Sequence, residues 1–347
     1  MSFIRMFPEQ ISARRHALLL AAAFSALALA GTPAAATPGE EAKVTSSAAS
    51  MKDLMREAGL ASSTQALGSA SLSMEMKVAQ LDTSEIRPDG GITPPTLAGD
   101  FAQGGLIIGQ TQPGSTVMLD DMTLDVDGEG RFIFGFNRDH PETAILRITY
   151  ADGTILAPQT LNIEPREFKI ERIDGLPDNK VNAFTPEEEQ KIVRGIELKK
   201  SARANMQKQA DWTSGFDWPV KGRISGVFGS QRILNGVPRR FHSGVDVAAP
   251  TGTDLRAPAD GIITLAEDDM YFEGGLVFID HGQGLESALM HMSRVDVEAG
   301  QRVSKGDIIG AIGATGRATG PHMHWSLKWR DRLLDAQLVV PDMADEG

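Results

Sequence analysis

The stretch "GPHMHWSLKW", residues 320–329, decides how the C-terminal half is read. His322, His324, Ser326 and Lys328 take the even positions, and Met323, Trp325, Leu327 and Trp329 the odd ones. A strand repeats every two residues, so this is a strand with one apolar and one polar face. Both imidazoles then stand side by side on the polar face. The chain has only seven histidines, and five of them lie between 242 and 324.

Outward from this strand, everything from about Trp218 is β-rich and punctuated by glycine. "RAPADGIITLAEDD", "GGLVFIDHG", "GLESALMHMSRV" and "GDIIGAIGATG" read as strands and turns. Upstream, "HSGVD" sets His242 and Asp246 four apart, which puts both on one side of an extended segment. Two segments thus each present like-facing ligand types. Two imidazoles and a carboxylate make a three-ligand, open zinc site. The chain has no cysteine, which excludes disulfides and thiolate zinc sites. It also has no His-Glu-x-x-His, so a helix-borne zinc protease is excluded.

Further toward the N-terminus, "FTPEEEQKIVRGIELKKSARANMQKQ" starts a helix. Thr185 is the N-cap, Pro186 sits at N1, and Glu188 closes a capping box. Ile192, Val193 and Ile196 give it a narrow apolar face, as befits a linker helix packed on one side. Residues 97–163 are short β-rich runs between Pro-Gly, Asp-Gly and Gly-Glu-Gly turns, which suggests an immunoglobulin-like sandwich. Its lone His140, in "NRDHPE", reads as a surface turn residue and not a ligand. Residues 37–90, rich in Ala, Ser, Thr and Glu, read as a low-complexity tether. At the N-terminus, Arg14 and Arg15 precede the apolar run 17–30 and then A-x-A patterns, the form of a secretory signal peptide.

The expected division is a signal peptide over 1–36, a tether over 37–90, an accessory β-sandwich over 91–180, a linker helix over 181–212 and a zinc peptidase domain over 213–347. The fold class is mainly β: a small antiparallel sheet preceded by the sandwich and the helix. The net charge of −12 leaves no basic excess for a nucleic-acid backbone. After signal removal no membrane span is expected. The signal directs the protein to the periplasm.

The ordered motifs of residues 218–330 resemble the LytM/lysostaphin-type zinc metallopeptidases. They are H-x-x-x-D at 242–246, "VAAPTG", "IDHG", "MHMS", "VSKGDIIGAIGATG" and "GPHMH". The sandwich, with "ERIDGLP", resembles the accessory domain of some alphaproteobacterial members. The resemblance implies that His242, Asp246 and His324 bind Zn2+. It implies that His291 and His322 sit beside the water that zinc activates, one as base and the other as donor to the oxyanion. It leaves His281 a structural role. It also implies an endopeptidase acting on peptidoglycan, with the D-Ala–meso-diaminopimelate cross-link as the expected bond. A second reading is a non-catalytic LytM-like module that binds the wall and activates an amidase, working with wall-remodelling protein partners. Such modules have lost zinc ligands, and this chain has all three. A third, a zinc amidase, suits these motifs less. Where members often have Asp-Pro after the last strand, this chain has Asp335-Ala336.

Overall fold

The computed structural model describes residues 78–79, 95–174 and 184–343. The signal peptide and nearly all of the tether lie outside the described residues. The described residues all fall within one compact unit, Ser50–Gly347.

The strand that carries His324 is the spine of the largest sheet. It runs Met323–Trp329, and its odd residues, Met323, Trp325, Leu327 and Trp329, are fully buried. It lies between Val245–Ala248 and Leu285–Val295, antiparallel to both. Arg223–Gly226 extends the sheet on one side; Gly274–Gly282 and Gly261–Met270 extend it on the other. Gly226 is required where the edge strand crosses Asp246, because a Cβ there would meet Asp246 Oδ2 at 2.3 Å. The parity is strict across neighbours. Val245 and Leu289 stand opposite Trp325, whereas Asp246 and Met290 stand opposite His324. Alternation along each strand therefore sends tryptophan to the core and histidine to the other face.

N-terminal to this sheet are two four-stranded antiparallel sheets. One contains Leu106–Gln110 and Arg131–Gly135, the other Thr116–Leu119 and Thr143–Thr149. Val78–Ala79, inside the stretch read as a tether, forms a short strand on Thr96–Gly99. The inward residues Ile107, Phe132, Phe134, Leu119 and Leu146 join the core of the large sheet in one apolar cluster. Arg166 donates to Asp335 at 2.8 Å and Arg332 to the Gly135 carbonyl at 2.8 Å, which fastens sandwich to sheet. Asp335, the position where Asp-Pro gives way to Asp-Ala, also caps the turn Ala336–Val339 through Gln337 N. His140 corrects the surface expectation. It is 7% exposed, edge-on to Phe136 at 4.8 Å, and its Nδ1 is bonded to the Pro141 carbonyl. Flanking polar residues suggested a surface turn, but Phe136 supplies an apolar wall that covers the ring.

The helix spans Pro186–Ala202, with Thr185 and Glu188 forming the capping box. It does not merely link. Leu198 and Ala202 pack on Leu265, Leu276, Phe278 and Ala288, a second apolar cluster. Ala288 stands opposite Ser326, so this cluster is on the same face of the sheet as His324. Lys199–Glu273 and Arg203–Glu286 ion pairs hold the helix there. The segment before His242 is a hairpin, Gln231–Leu234 and Val237–Pro238, closed by Asn235-Gly236 with φ of 49° and 74°. Positive φ at both positions is what a tight two-residue hairpin demands. Its first strand pairs in parallel with Ile170–Ile173, the exit from the sandwich.

Candidate metal centre

Three donors converge on the polar face. His242 Nε2 lies 3.0 Å from Asp246 Oδ1 and 3.0 Å from His324 Nδ1. His324 Nδ1 is 2.8 Å from the same Oδ1. The triangle is only slightly tighter than the roughly 3.3 Å edge of a tetrahedral site with ~2.0–2.1 Å bonds. Nitrogen and carboxylate oxygen without thiolate form a donor set that suits zinc. Three ligands leave one coordination position for water or substrate.

The outer ring atoms explain why the inner ones point inward. His242 Nδ1 donates to the Val227 carbonyl at 2.9 Å, which leaves Nε2 for the centre. His324 is reversed. Its Nε2 meets Ser326 Oγ at 2.9 Å and Ser243 Oγ at 3.3 Å, and Ser326 Oγ donates to the Ser243 carbonyl at 3.0 Å. Nδ1 is thereby the inward atom. Ser243 and Ser326 were missed in the sequence as site residues. The signal for Ser326 was its place on the polar face, two residues beyond His324.

His291 and His322 complete the cluster. Their ring centroids are 4.7 Å apart, and His291 is 6.3 Å from His324. His291 Nδ1 donates to the Thr315 carbonyl at 2.9 Å, and His322 Nδ1 to the Gly320 carbonyl at 2.8 Å. His322 Nε2 is 3.8 Å from Asp246 Oδ1. His291 has φ of 64°, an unusual conformation for a side chain with a Cβ. It sits where the strand pairing slips a register, and such bulges re-aim side chains at sites. Gly274 makes room for this arrangement, since a Cβ there would reach Thr315 Oγ1 at 2.1 Å.

The electrostatics follow from burial and a shared carboxylate. Burial alone would raise Asp246, but hydrogen bonds from His242 and His324 outweigh it and hold the carboxyl far below its usual range. Burial likewise depresses His242, yet the Asp246 bond and charge raise it overall. In His324 burial wins, assisted by the nearby His242 charge, and its pKa falls. Two imidazoles 3.0 Å apart thus favour one shared proton over two. Burial pushes His291 down to about 4, so this ring is neutral near pH 7.

His281 lies apart from this cluster. Its Nδ1 meets the Asp260 carbonyl at 2.7 Å and its Nε2 meets Ser287 Oγ at 2.8 Å, while Trp325 donates to the same hydroxyl at 3.0 Å. It is fully buried, behind the strand that carries the site.

The same stretch of chain matches known proteins. Residues 240–336 fit the model of Peptidase family M23. The chain is 40% identical over 131 residues to the peptidoglycan DD-endopeptidase ShyA of Vibrio cholerae, covering 37% of this chain and 30% of that protein. It is 41% identical over 111 residues to the DD-carboxypeptidase/endopeptidase Mpg of Neisseria meningitidis, covering 31% and 25%. The matched stretch thus spans less than a third of these relatives' length. A solved structure from Pseudomonas aeruginosa, described as a candidate M23 peptidase, superposes with a TM-score of 0.51 at 28% identity, covering 69% of this chain and 94% of that one. The family model, the relatives and the fold agree on one region, and the similarity to peptidase family M23 is carried by residues 240–336.

Proposed function

We propose that this protein is a zinc-dependent endopeptidase that cuts peptide cross-links in peptidoglycan, acting in the periplasm. The observation that carries the reading is the convergence of His242 Nε2, Asp246 Oδ1 and His324 Nδ1, with His291 and His322 alongside. Relatives named for DD-endopeptidase activity support a wall peptide as substrate; the bond proposed for this chain is the D-Ala–meso-diaminopimelate cross-link. The apolar run 17–30 behind Arg14 and Arg15 supports export. Among the described residues no helix is long and apolar enough to cross a membrane. In the proposed division, the accessory segment 91–180 and the segment 181–212, which contains the helix Pro186–Ala202, serve placement, and 213–347 carries the chemistry.

His242, Asp246 and His324 hold the metal. Zinc bound there supplies Lewis acidity to water and to the scissile carbonyl. The chain's own part lies with His291 and His322. Each has Nδ1 tied to a backbone carbonyl, so each offers Nε2 as the free ring nitrogen. One, neutral, takes the proton of the attacking water at Nε2 and returns it to the leaving amine; the other, when protonated on both ring nitrogens, donates from Nε2 to the oxyanion. The Val227 carbonyl and the Ser243–Ser326 pair keep the ligand rings from turning.

Metal content and cleavage of a soluble cross-linked muropeptide dimer test this together. The wild type is expected to keep one zinc after dialysis against a mild chelator and to convert dimer to monomers. His242→Ala and Asp246→Ala are expected to lose both properties. Stoichiometric zinc in both variants overturns the ligand assignment. A zinc-loaded wild type that leaves every cross-linked substrate intact overturns the peptidase reading in favour of a wall-binding module.

A further inference from the structure

The polar face that carries the histidines continues past the metal centre. Ser326 follows His324, and Lys328 follows Ser326. Four residues of strand place Lys328 roughly 13 Å from His324 at about 3.3 Å per residue. There a cleft of about 450 Å³ opens, lined by Arg203, Gln207, Glu286, Lys328, Arg330 and Asp125 among others. It lies where the sheet, the chain just past the helix and the sandwich meet.

Most charges in this cleft are already spent. Glu286 stands opposite Lys328 in the sheet, but Arg203 takes both its oxygens, at 2.6 and 3.0 Å to Oε1 and 3.1 Å to Oε2. Arg203 is further pinned 4.4 Å over the Phe278 ring. Arg330 is paired with Asp125 at 3.0 Å and with the Thr123 carbonyl at 3.0 Å. Lys328 differs. Among the described residues no acceptor lies within hydrogen-bond or ion-pair reach of its ammonium. It is half-buried, with Arg203 as a like-charged neighbour. Burial first, and then the Arg203 charge, push its pKa down to about 8, against the pull of Glu286. Its nearest carboxylates, Glu286 and Asp331, act on it through space without a hydrogen bond, and a half-buried cation so placed is a site that an anion relieves.

Building on the peptidase reading above, we propose that Lys328 is a substrate-binding residue that takes a free carboxylate of the wall peptide, roughly 13 Å along the strand from the metal centre. Cross-linked stem peptides carry carboxylates at several points on either side of the scissile amide. A cation at a fixed distance from the bond selects stems that present one there. Lysine acts in this role as a point charge and needs no planar match to its partner. The protein is acidic overall, so the attraction is local to this cleft and not a general pull on an anionic polymer.

Direct binding tests this without turnover. A fluorescent stem peptide with free carboxylates, and its fully amidated counterpart, are titrated by anisotropy against the full chain and its Lys328→Met and Lys328→Arg variants. The wild type is expected to prefer the acidic peptide by roughly 10-fold, the scale of one hydrogen bond to a charged group. Lys328→Met is expected to lose that preference, and Lys328→Arg to retain it. Equal preference in wild type and Lys328→Met overturns the proposal, as does a wild type that binds both peptides alike. Cleavage of unlabelled cross-linked dimer, run in parallel, reports on the peptidase reading separately. A dimer left uncut alongside an intact Lys328-dependent preference removes the enzyme and keeps the carboxylate site.

Discussion

Asp246 stands directly opposite His324 on the neighbouring antiparallel strand, with 2.8 Å between Oδ1 and Nδ1. A cross-strand pair is the shortest route by which a sheet brings two distant stretches of chain to one point. His242 then needs only the four-residue spacing to Asp246 to join them. Asp246 and His324 are thus held on paired strands, and His242 joins them from the segment just before Val245, with its ring oriented by the Val227 carbonyl.

Ring orientation gives the first prediction. Ser326→Ala removes the hydroxyl that meets His324 Nε2 and frees the ring to turn. Zinc affinity is expected to fall by roughly 10–100-fold, the usual cost of losing a partner behind a metal-binding histidine. Competition with a metallochromic chelator measures it. Unchanged affinity means that Ser243 Oγ, 3.3 Å from the same nitrogen, and strand packing orient His324 without Ser326.

His291→Ala separates catalysis from metal binding. His291 is held by Thr315 and faces the centre without joining the triangle. The variant is expected to keep its zinc while turnover drops by roughly 10²–10⁴. Metal content and rate in one preparation decide it. Loss of both together would make His291 a ligand or a folding residue.

Much of the site was legible in the sequence for a simple reason. Strand parity is strict, so an H-x-H in an alternating run must put both rings on one face, and the tryptophans between them must enter the core. The Thr185–Glu188 capping box was legible because it is a local hydrogen-bond pattern. The left-handed conformation of His291 was hidden, because it arises from a slipped register with a distant strand. The inward nitrogen of each imidazole was hidden as well, since Val227, Thr315 and Ser243 act from other segments. So was the helix's seat beside the site, because its narrow apolar stripe says that it packs but not on which face.

That seat carries a stability prediction. A chain starting at residue 213 uncovers Leu265, Leu276 and Phe278, which Leu198 and Ala202 cover in the full protein. At roughly 1.5–3 kcal/mol per large side chain exposed, it is expected to melt more than about 10 °C below a chain starting at residue 184. It is also expected to bind a hydrophobic dye. Equal melting temperatures, both without dye binding, would show that the helix is dispensable to the sheet.

His281 makes stability depend on pH. Burial holds its folded pKa near 4, against about 6.5 for the free side chain. Between those values the unfolded chain binds a proton that the folded chain refuses. Stability is therefore full above about pH 6.5, falls as pH drops toward 4, and levels off below, with a loss on the order of 3 kcal/mol. Denaturant titrations at pH 7 and pH 5, on wild type and His281→Gln, isolate this share. A wild-type slope no steeper than that of the variant would show that folding leaves the His281 pKa near its free value.

As proposed, this centre cuts the peptide cross-link and no other bond of the wall. The direct measurement is mass spectrometry of muropeptides released when purified, zinc-loaded protein digests isolated sacculi, with Asp246→Ala as control. Cross-linked dimers are expected to be replaced by monomers of intact stem length, with sugar and stem still joined, and the control is expected to leave the dimers unchanged. Free stem peptides stripped from the glycan would identify an amidase and contradict an endopeptidase, and dimers that persist with the wild type would contradict it as well.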